Sequence, residues 1–201
     1  MNQPTPEALR VAESARKIAL QMLSERGRGA VLVGVARVDA ALEHLLQALM
    51  APALQAGRGD GLFLPDRPLG SLGAKVALAR RLCLIDPAVE RALSALRKLR
   101  NSFAHTADSA SLNEPIHNAR LAEIYAEARS NPLWVPLETL VAAQPPNAHG
   151  PLEPALRDYI LLITILVAFL EATAQQLRPY QPPVMMGLSC MRTFSNNTVK
   201  H

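Results

Sequence analysis

The segment RKLRNSFAH, residues 97–105, contains the side chains of this chain that are best suited to chemistry. Three cations, Arg97, Lys98 and Arg100, lie within four residues, and His105 ends the segment. Guanidinium groups bind anions such as phosphate or carboxylate, and a histidine can move protons near neutral pH. The segment therefore indicates either a site for an anionic partner or a set of cations that pair with carboxylates of the fold.

Helical spacing predicts where these side chains point. Apolar residues and Arg100 alternate at intervals of four and three along the helix, at Val89, Leu93, Leu96, Arg100 and Phe103. This spacing predicts that Arg100 lies in the apolar stripe, where a charged group needs a partner. Arg100 and His105 are five residues apart, which is about 140° around a regular helix. They could meet through a frayed helix end or across a two-fold axis with a second copy.

A second interpretation of the same segment is structural. Asp39 and Glu43 are four residues apart, so a helix presents both carboxylates on one face. Either one could pair with Arg97 or Arg100. The four residues would then form an ionic latch between two helices, and the residues alone leave this latch and a catalytic role open.

Other chemical motifs are weak. The cysteines and histidines lack the spacing of metal ligands, and we expect neither a metal nor a cofactor; they include Cys83, Cys190, His44, His117 and His149. The sequence GSLGAK lacks the Gly-Lys-Ser/Thr ending of a phosphate-binding loop. Residues 77–96 imitate a helix-turn-helix, but a cysteine stands where the turn usually has glycine, so direct sequence-specific DNA binding is not expected.

The composition favours an all-α protein. Hydrophobic residues make up 49% of the chain and aromatic residues only 4%, with alanine and leucine dominant. The net charge of +4 is compatible with an anionic partner and is also ordinary for a soluble protein. The longest apolar run, 159–170, is shorter than the roughly 20 residues that span a bilayer, and the N-terminus does not resemble a secretory signal. We expect a cytoplasmic protein with no membrane contact.

The pattern predicts a single helical bundle of about six helices over residues 1–178. The expected helices are 6–25, 31–49, 72–84, 87–105, 115–129 and 155–177, with one further short helix at 137–143. Residues 51–71 are predicted to form a loop, and the proline-rich segment 130–154 to be irregular apart from the short helix. Residues 179–201 have little pattern, and we expect a disordered tail there.

Residues 25–105 resemble the mannitol operon repressor family. The stretches ERGRGAVLVGVARVDAALEHLL, PLGSLGAKVALARRLCLI and LRKLRNSFAH follow the family's order and approximate spacing, although Gly73 stands where the family has a bulkier residue. The resemblance implies an all-helical transcriptional regulator that acts through protein partners, here in a homodimer. The matching positions are Arg26, Gly27, Asp39, Leu42, Glu43, Pro68, Leu69, Ser71, Lys75, Arg97, Arg100, Asn101, Phe103 and His105.

The end of the same segment also resembles the HEPN superfamily of helical proteins. Its ribonucleases carry an arginine, a polar residue and then a histidine after four to six intervening positions, which Arg100, Asn101 and His105 match. The resemblance implies a metal-independent endoribonuclease whose site is shared between two subunits. His105 would move the proton of a 2′-hydroxyl and Arg100 would stabilise charge on the phosphate. The structural interpretation is that His105 caps the helix end, where a cation suits the dipole.

Overall fold

A computed structural model describes residues 5–25, 27–52, 61–105, 111–144, 152–182, 184–188 and 191–193. Arg26, His149 and Cys190 lie outside these residues. The described chain is a bundle of α-helices, as the composition predicts. The helices are α1 (Pro6–Met22), α2 (Gly27–Leu49), α3 (Leu72–Arg81), α4 (Pro87–His105), α5 (Pro115–Ala128), α6 (Trp134–Ala142) and α7 (Pro154–Gln176), with a short 3-10 helix at Gly61–Phe63.

Local capping explains why several helices begin where the sequence predicts. Thr5 Oγ1 accepts a hydrogen bond from Ala8 N at 3.2 Å at the start of α1, and Asp86 Oδ1 accepts one from Val89 N at 2.8 Å at the start of α4. Four helix ends differ from prediction by three residues or more. Helix α1 ends at Met22 rather than near residue 25, and α3 ends at Arg81 rather than residue 84. Helix α2 begins at Gly27 rather than residue 31, and α6 begins at Trp134 rather than residue 137. Cys83 follows α3 with a left-handed φ of 56°, which a continuing helix does not allow.

Helix α7 is the centre of the bundle and packs against α1, α2, α5 and α6. Its apolar run is buried, as predicted, except for Phe169, and Tyr159, Ile160 and Ile163 are fully inaccessible. A Cβ atom added to Gly34 of α2 would lie 2.5 Å from Tyr159 Oη, which shows how closely α2 approaches α7. Buried side chains from all seven helices form one contiguous core. None of the helices in the described ranges has the length and apolar character needed to cross a membrane.

Tyr159 gives the fold a testable sensitivity to alkaline pH. Its hydroxyl donates a hydrogen bond to the Val31 carbonyl at 2.9 Å, and burial raises its pKa well above the ordinary value. A raised pKa in the folded state means that stability is complete below pH 10 and falls above it, because the unfolded chain ionises first. We expect Tyr159→Phe to lose less unfolding free energy than wild type between pH 10 and 11.5. Urea denaturation measures the difference.

Tyr125 limits the size of the expected change. Burial also raises the pKa of Tyr125, so the alkaline loss should diminish in Tyr159→Phe and not vanish. An identical alkaline slope in wild type and Tyr159→Phe would show that Tyr159 does not contribute.

The described part of the predicted disordered tail contains a regular element. Strands β1 (Val184–Met186) and β2 (Met191–Thr193) pair antiparallel, with Val184 opposite Thr193. The sequence pattern did not predict these strands, because each has only three residues and the segment lacks clear alternation.

Candidate functional site

A polar cavity of about 450 Å³ lies where α2, the start of α3 and α4 meet. All four residues of the predicted ionic latch line it, as does Asn101, whereas His105 does not. The side chains of α2 and α4 that the sequence predicts to lie close together therefore line one cavity. The full lining is Val35, Ala36, Asp39, Ala40, Glu43, Gly70, Ser71, Leu72, Gly73, Lys75, Arg97, Arg100 and Asn101.

Lys75 of α3 pairs with both carboxylates of this cavity. Its Nζ lies 2.9 Å from Asp39 Oδ1 and 2.7 Å from Glu43 Oε2, and the side chain is almost completely buried. The ammonium also lies 5.8 Å from the centre of the Phe63 ring, in cation–π range. Burial lowers the pKa of Lys75, but hydrogen bonds and charge from Glu43 and Asp39 outweigh this, so the pKa lies above its ordinary value.

Arg97 and Arg100 do not take the role that the latch hypothesis gave them. Both side chains are exposed, and neither forms an ion pair or hydrogen bond with any described residue. The ionic connection between helices exists, but it joins α2 to α3 through Lys75. In the sequence, Lys75 stood out only as a position that matches the repressor family.

The predicted buried position of Arg100 is wrong. The fully buried residues on this side of α4 are Leu93, Leu96, Leu99 and Phe103. Leu99 occupies the turn that the interval pattern assigned to Arg100. Steps of three and then four from Leu96 are as helical as steps of four and then three, and they keep a leucine inside instead of an arginine.

Arg97 lines the cavity and packs closely against Gly73, which has no side chain to displace it. A Cβ atom at Gly73 would lie only 3.2 Å from Arg97 Nη1 and 3.6 Å from its Cζ. The guanidinium therefore lies directly on the first turn of α3. That turn is capped by Ser71, whose Oγ accepts a hydrogen bond from Ala74 N at 3.2 Å.

The end of α4 is ordered by contacts on two sides. Helix geometry continues through His105, and Arg28 Nη2 donates a hydrogen bond to the Ala104 carbonyl at 3.2 Å. Phe103 packs against the imidazole of His117, with ring centroids 5.1 Å apart. His117 is buried, and its Nε2 lies 3.7 Å from Glu114 Oε2. The frayed end that could bring Arg100 to His105 is therefore not seen in the described residues.

Comparisons with known protein families, curated proteins and solved structures found no match for this chain. Within the described residues, no group of three or more histidine, cysteine, aspartate or glutamate side chains is arranged to hold a metal ion.

A second surface, which we call the apolar groove, lies between the α3–α4 turn and the C-terminal half of α7. It has a volume of about 660 Å³. Phe169 is 43% exposed at its wall, while Leu166 and Leu170 beside it are buried. Its lining is Arg80, Cys83, Leu84, Ile85, Asp86, Pro87, Val89, Asn131, Ile165, Leu166, Phe169, Leu170 and Thr173. Sequence reasoning missed this groove, because it treated the whole apolar run of α7 as core.

Polar groups in the apolar groove are largely occupied within the protein. Arg80 Nε lies 3.3 Å from Glu90 Oε2, and Thr173 Oγ1 donates to the Phe169 carbonyl at 2.8 Å. Asn131 Oδ1 accepts a hydrogen bond from Leu133 N at 2.9 Å. What the groove offers to another molecule is therefore mainly apolar area, with an accessible phenylalanine ring.

Proposed function

We propose that this chain is a cytoplasmic regulatory protein that acts on transcription through protein association, as its resemblance to the mannitol operon repressor family implies. One observation carries the proposal: many of the positions that match the family converge on the polar cavity. They come from three separate stretches of sequence and are Asp39, Glu43, Ser71, Lys75, Arg97, Arg100 and Asn101. This convergence of separate stretches on one cavity is what supports the proposal.

The association surface in this proposal is the apolar groove, and its occupant is a second copy of the chain. An exposed phenylalanine beside buried leucines is typical of an interface residue, because aromatic anchors supply much of the affinity of protein contacts. Since most polar groups of the groove are already bonded, a partner needs to supply apolar area and few hydrogen bonds. A homodimer provides such area from the same patch on each subunit.

Phe169→Asp is the direct test of the association surface. It should weaken dimerisation by about 30-fold or more, since losing an aromatic anchor costs at least about 2 kcal/mol of binding. Sedimentation velocity across a concentration series measures the effect. Val135, which is 65% exposed on α6 and outside the groove, provides a matched control, and Val135→Asp should dimerise like wild type. A wild type that stays monomeric across the whole concentration series, or an equal loss of dimerisation in both variants, would contradict the proposal.

The regulatory role also makes a prediction about DNA. Because a cysteine stands where the turn of a helix-turn-helix usually has glycine, the purified chain should show no sequence-specific DNA binding on its own. Binding selection from a random DNA pool followed by competition measurements tests this. A strong consensus sequence, bound tightly by the isolated chain, would count against action through protein association.

A metal-independent ribonuclease is the second candidate function, and the freedom of Arg100 favours it. Arg100 and Asn101 are exposed at the polar cavity, and His105 is exposed in the last turn of the same helix. In this proposal Arg100 stabilises charge on the phosphate and His105 moves the 2′-hydroxyl proton. Since α4 stays helical through His105, the two side chains would meet across a dimer axis.

Cleavage of RNA in the presence of EDTA tests the second candidate. We expect His105→Ala and Arg100→Ala each to lower the cleavage rate by about 100-fold or more if they are an acid–base group and an electrostatic stabiliser. Lys98→Ala removes a neighbouring charge from the same helix and should retain activity. RNA that stays intact at high protein concentration eliminates the ribonuclease.

A further inference from the structure

We propose that the polar cavity binds a small phosphate ester that carries hydroxyl groups. The phosphate lies between Arg97 and Arg100, and hydroxyl groups of the same molecule bond to the Asp39 side of the cavity. This assigns the regulator an effector site, and it does not depend on the apolar groove or on dimerisation.

The two arginines supply the phosphate site. They lie three residues apart on α4, on adjacent turns, and both line the cavity. Neither has an acidic partner in the described chain, because Lys75 occupies the only carboxylates that line the cavity. Free guanidinium groups in a concave site are well suited to phosphate, which they can bind through two parallel hydrogen bonds.

The carboxylates that line the cavity select for hydroxyl groups. Asp39 uses Oδ1 for Lys75, and its Oδ2 has no donor among the described residues. Glu43 uses both oxygens, one for Lys75 and the other for Gln47 Nε2 at 3.4 Å. A carboxylate oxygen at the edge of the cavity accepts a hydrogen bond from a hydroxyl and repels a second phosphate.

Charge and size together favour a small ligand over a nucleic acid. The cavity contains three cations and two carboxylates, a net charge of +1, which suits one phosphate rather than a polyanion. Its volume of about 450 Å³ lies within the range of roughly 300–1,000 Å³ that is usual for small-molecule sites. Asp39 and Glu43 line the same cavity as the arginines, and their charge would repel a continuing phosphodiester chain.

Calorimetric titration of the full chain with ribose 5-phosphate, inorganic phosphate and ribose tests the proposal. Ribose 5-phosphate should bind about tenfold more tightly than inorganic phosphate, and ribose should not bind measurably. Arg97→Gln and Arg100→Gln should each weaken ribose 5-phosphate by about tenfold or more, since each removes a charge-assisted hydrogen bond. Lys98→Gln is the matched control: Lys98 lines a different depression, with Arg91 and Arg120, and should bind like wild type.

Several outcomes would overturn the assignment. They are no binding of either phosphate, equal losses in Lys98→Gln and the two arginine variants, or inorganic phosphate binding as tightly as ribose 5-phosphate. A single-stranded oligouridylate that binds through Arg97 and Arg100 while ribose 5-phosphate does not would also overturn it, in favour of nucleic acid. Thermal melts of each variant verify folding, which is expected because all three replaced side chains are exposed.

Gly73→Ala separates binding from folding. The new Cβ would lie 3.2 Å from Arg97 Nη1 and push the guanidinium away from its present position. Affinity for ribose 5-phosphate should therefore fall several-fold. The melting temperature should stay level or rise, because alanine favours a helix more than glycine does. Unchanged affinity in both Gly73→Ala and Arg97→Gln, with full loss in Arg100→Gln, would show that Arg97 takes no part in the site.

Discussion

Replacing Lys75 with methionine should lower the free energy of unfolding by about 3 kcal/mol at pH 7. Methionine fills a similar volume and removes the charge, which leaves Asp39 and Glu43 without their shared cation. Removing one member of a buried ion pair typically costs about 3–5 kcal/mol, and we take the lower end because the two carboxylates are about one-third exposed. Urea denaturation of wild type and Lys75→Met measures the difference.

The pH dependence of this difference tests its electrostatic origin. The pKa of Lys75 is raised above its ordinary 10.5 in the folded protein. Its contribution is therefore complete below pH 10.5 and is lost as the pH rises further and the ammonium deprotonates. The gap between wild type and Lys75→Met should be constant from pH 7 to about 10 and narrow above that. Lys98→Met, at an exposed position, should change stability by less than about 0.5 kcal/mol. A constant gap up to pH 11.5 would point to packing rather than charge.

Gly34→Ala should destabilise the fold by about 2–3 kcal/mol, because it places a methyl group where α2 and α7 touch. The added Cβ would lie 2.5 Å from Tyr159 Oη and 3.1 Å from Ile163 Cγ1. Both neighbours are fully buried and have no space to move into. Chemical denaturation at neutral pH measures the cost.

Two further variants decide whether the contact itself is the cause. In a Tyr159→Phe background the closest atom is gone, so the cost of Gly34→Ala should fall by about 1 kcal/mol or more, as expected for residues in contact. Gly29→Ala in the same helix meets only Glu25 Oε2 at 3.5 Å, an ordinary contact. It should stabilise by up to about 1 kcal/mol. Additive effects of Gly34→Ala and Tyr159→Phe would contradict the close approach.

Helix positions could be predicted from sequence because their determinants are local. Thr5 and Asp86 cap helices whose first residues are prolines, and both starts are where the sequence placed them. The C-terminal ends of some helices could not be predicted, because the backbone conformation that ends them is not marked by a characteristic residue. Nothing in the sequence around Cys83 marks its left-handed φ, since glycine usually occupies such positions.

Sequence spacing predicted which charged residues of α2 and α4 lie close together, but not which residues form ion pairs. Spacing along α2 and α4 identifies which carboxylates and arginines share a face, but it does not say which third element covers them. Helix α3 brings Lys75 between Asp39 and Glu43, and that arrangement depends on how three helices pack. The predicted burial of Arg100 was wrong for a related reason. The apolar stripe of α4 fits two neighbouring registers, and the structure has the one in which Leu99 is buried.

Two features depend on tertiary packing and could not be found from sequence. His117 lies against Phe103 because α5 folds back on α4, although the two rings are separated by a segment without a recognisable pattern. Phe169 lies within a nearly continuous apolar run. It is exposed because the helices that pack around α7 do not cover it. The sequence pattern of one helix predicts that the helix is buried, but it does not predict which of its side chains remain exposed.

We infer that Lys75 holds the two carboxylates and thereby leaves Arg97 and Arg100 available to an anion. A pair of double-mutant cycles on unfolding free energy tests it most directly: Lys75→Met with Glu43→Gln, and Arg100→Gln with Asp39→Asn. We predict a coupling energy above about 1 kcal/mol for Lys75 with Glu43, and a value within about 0.3 kcal/mol of zero for Arg100 with Asp39. Strong coupling of Arg100 to Asp39, with none between Lys75 and Glu43, would contradict this account and restore the arginine latch.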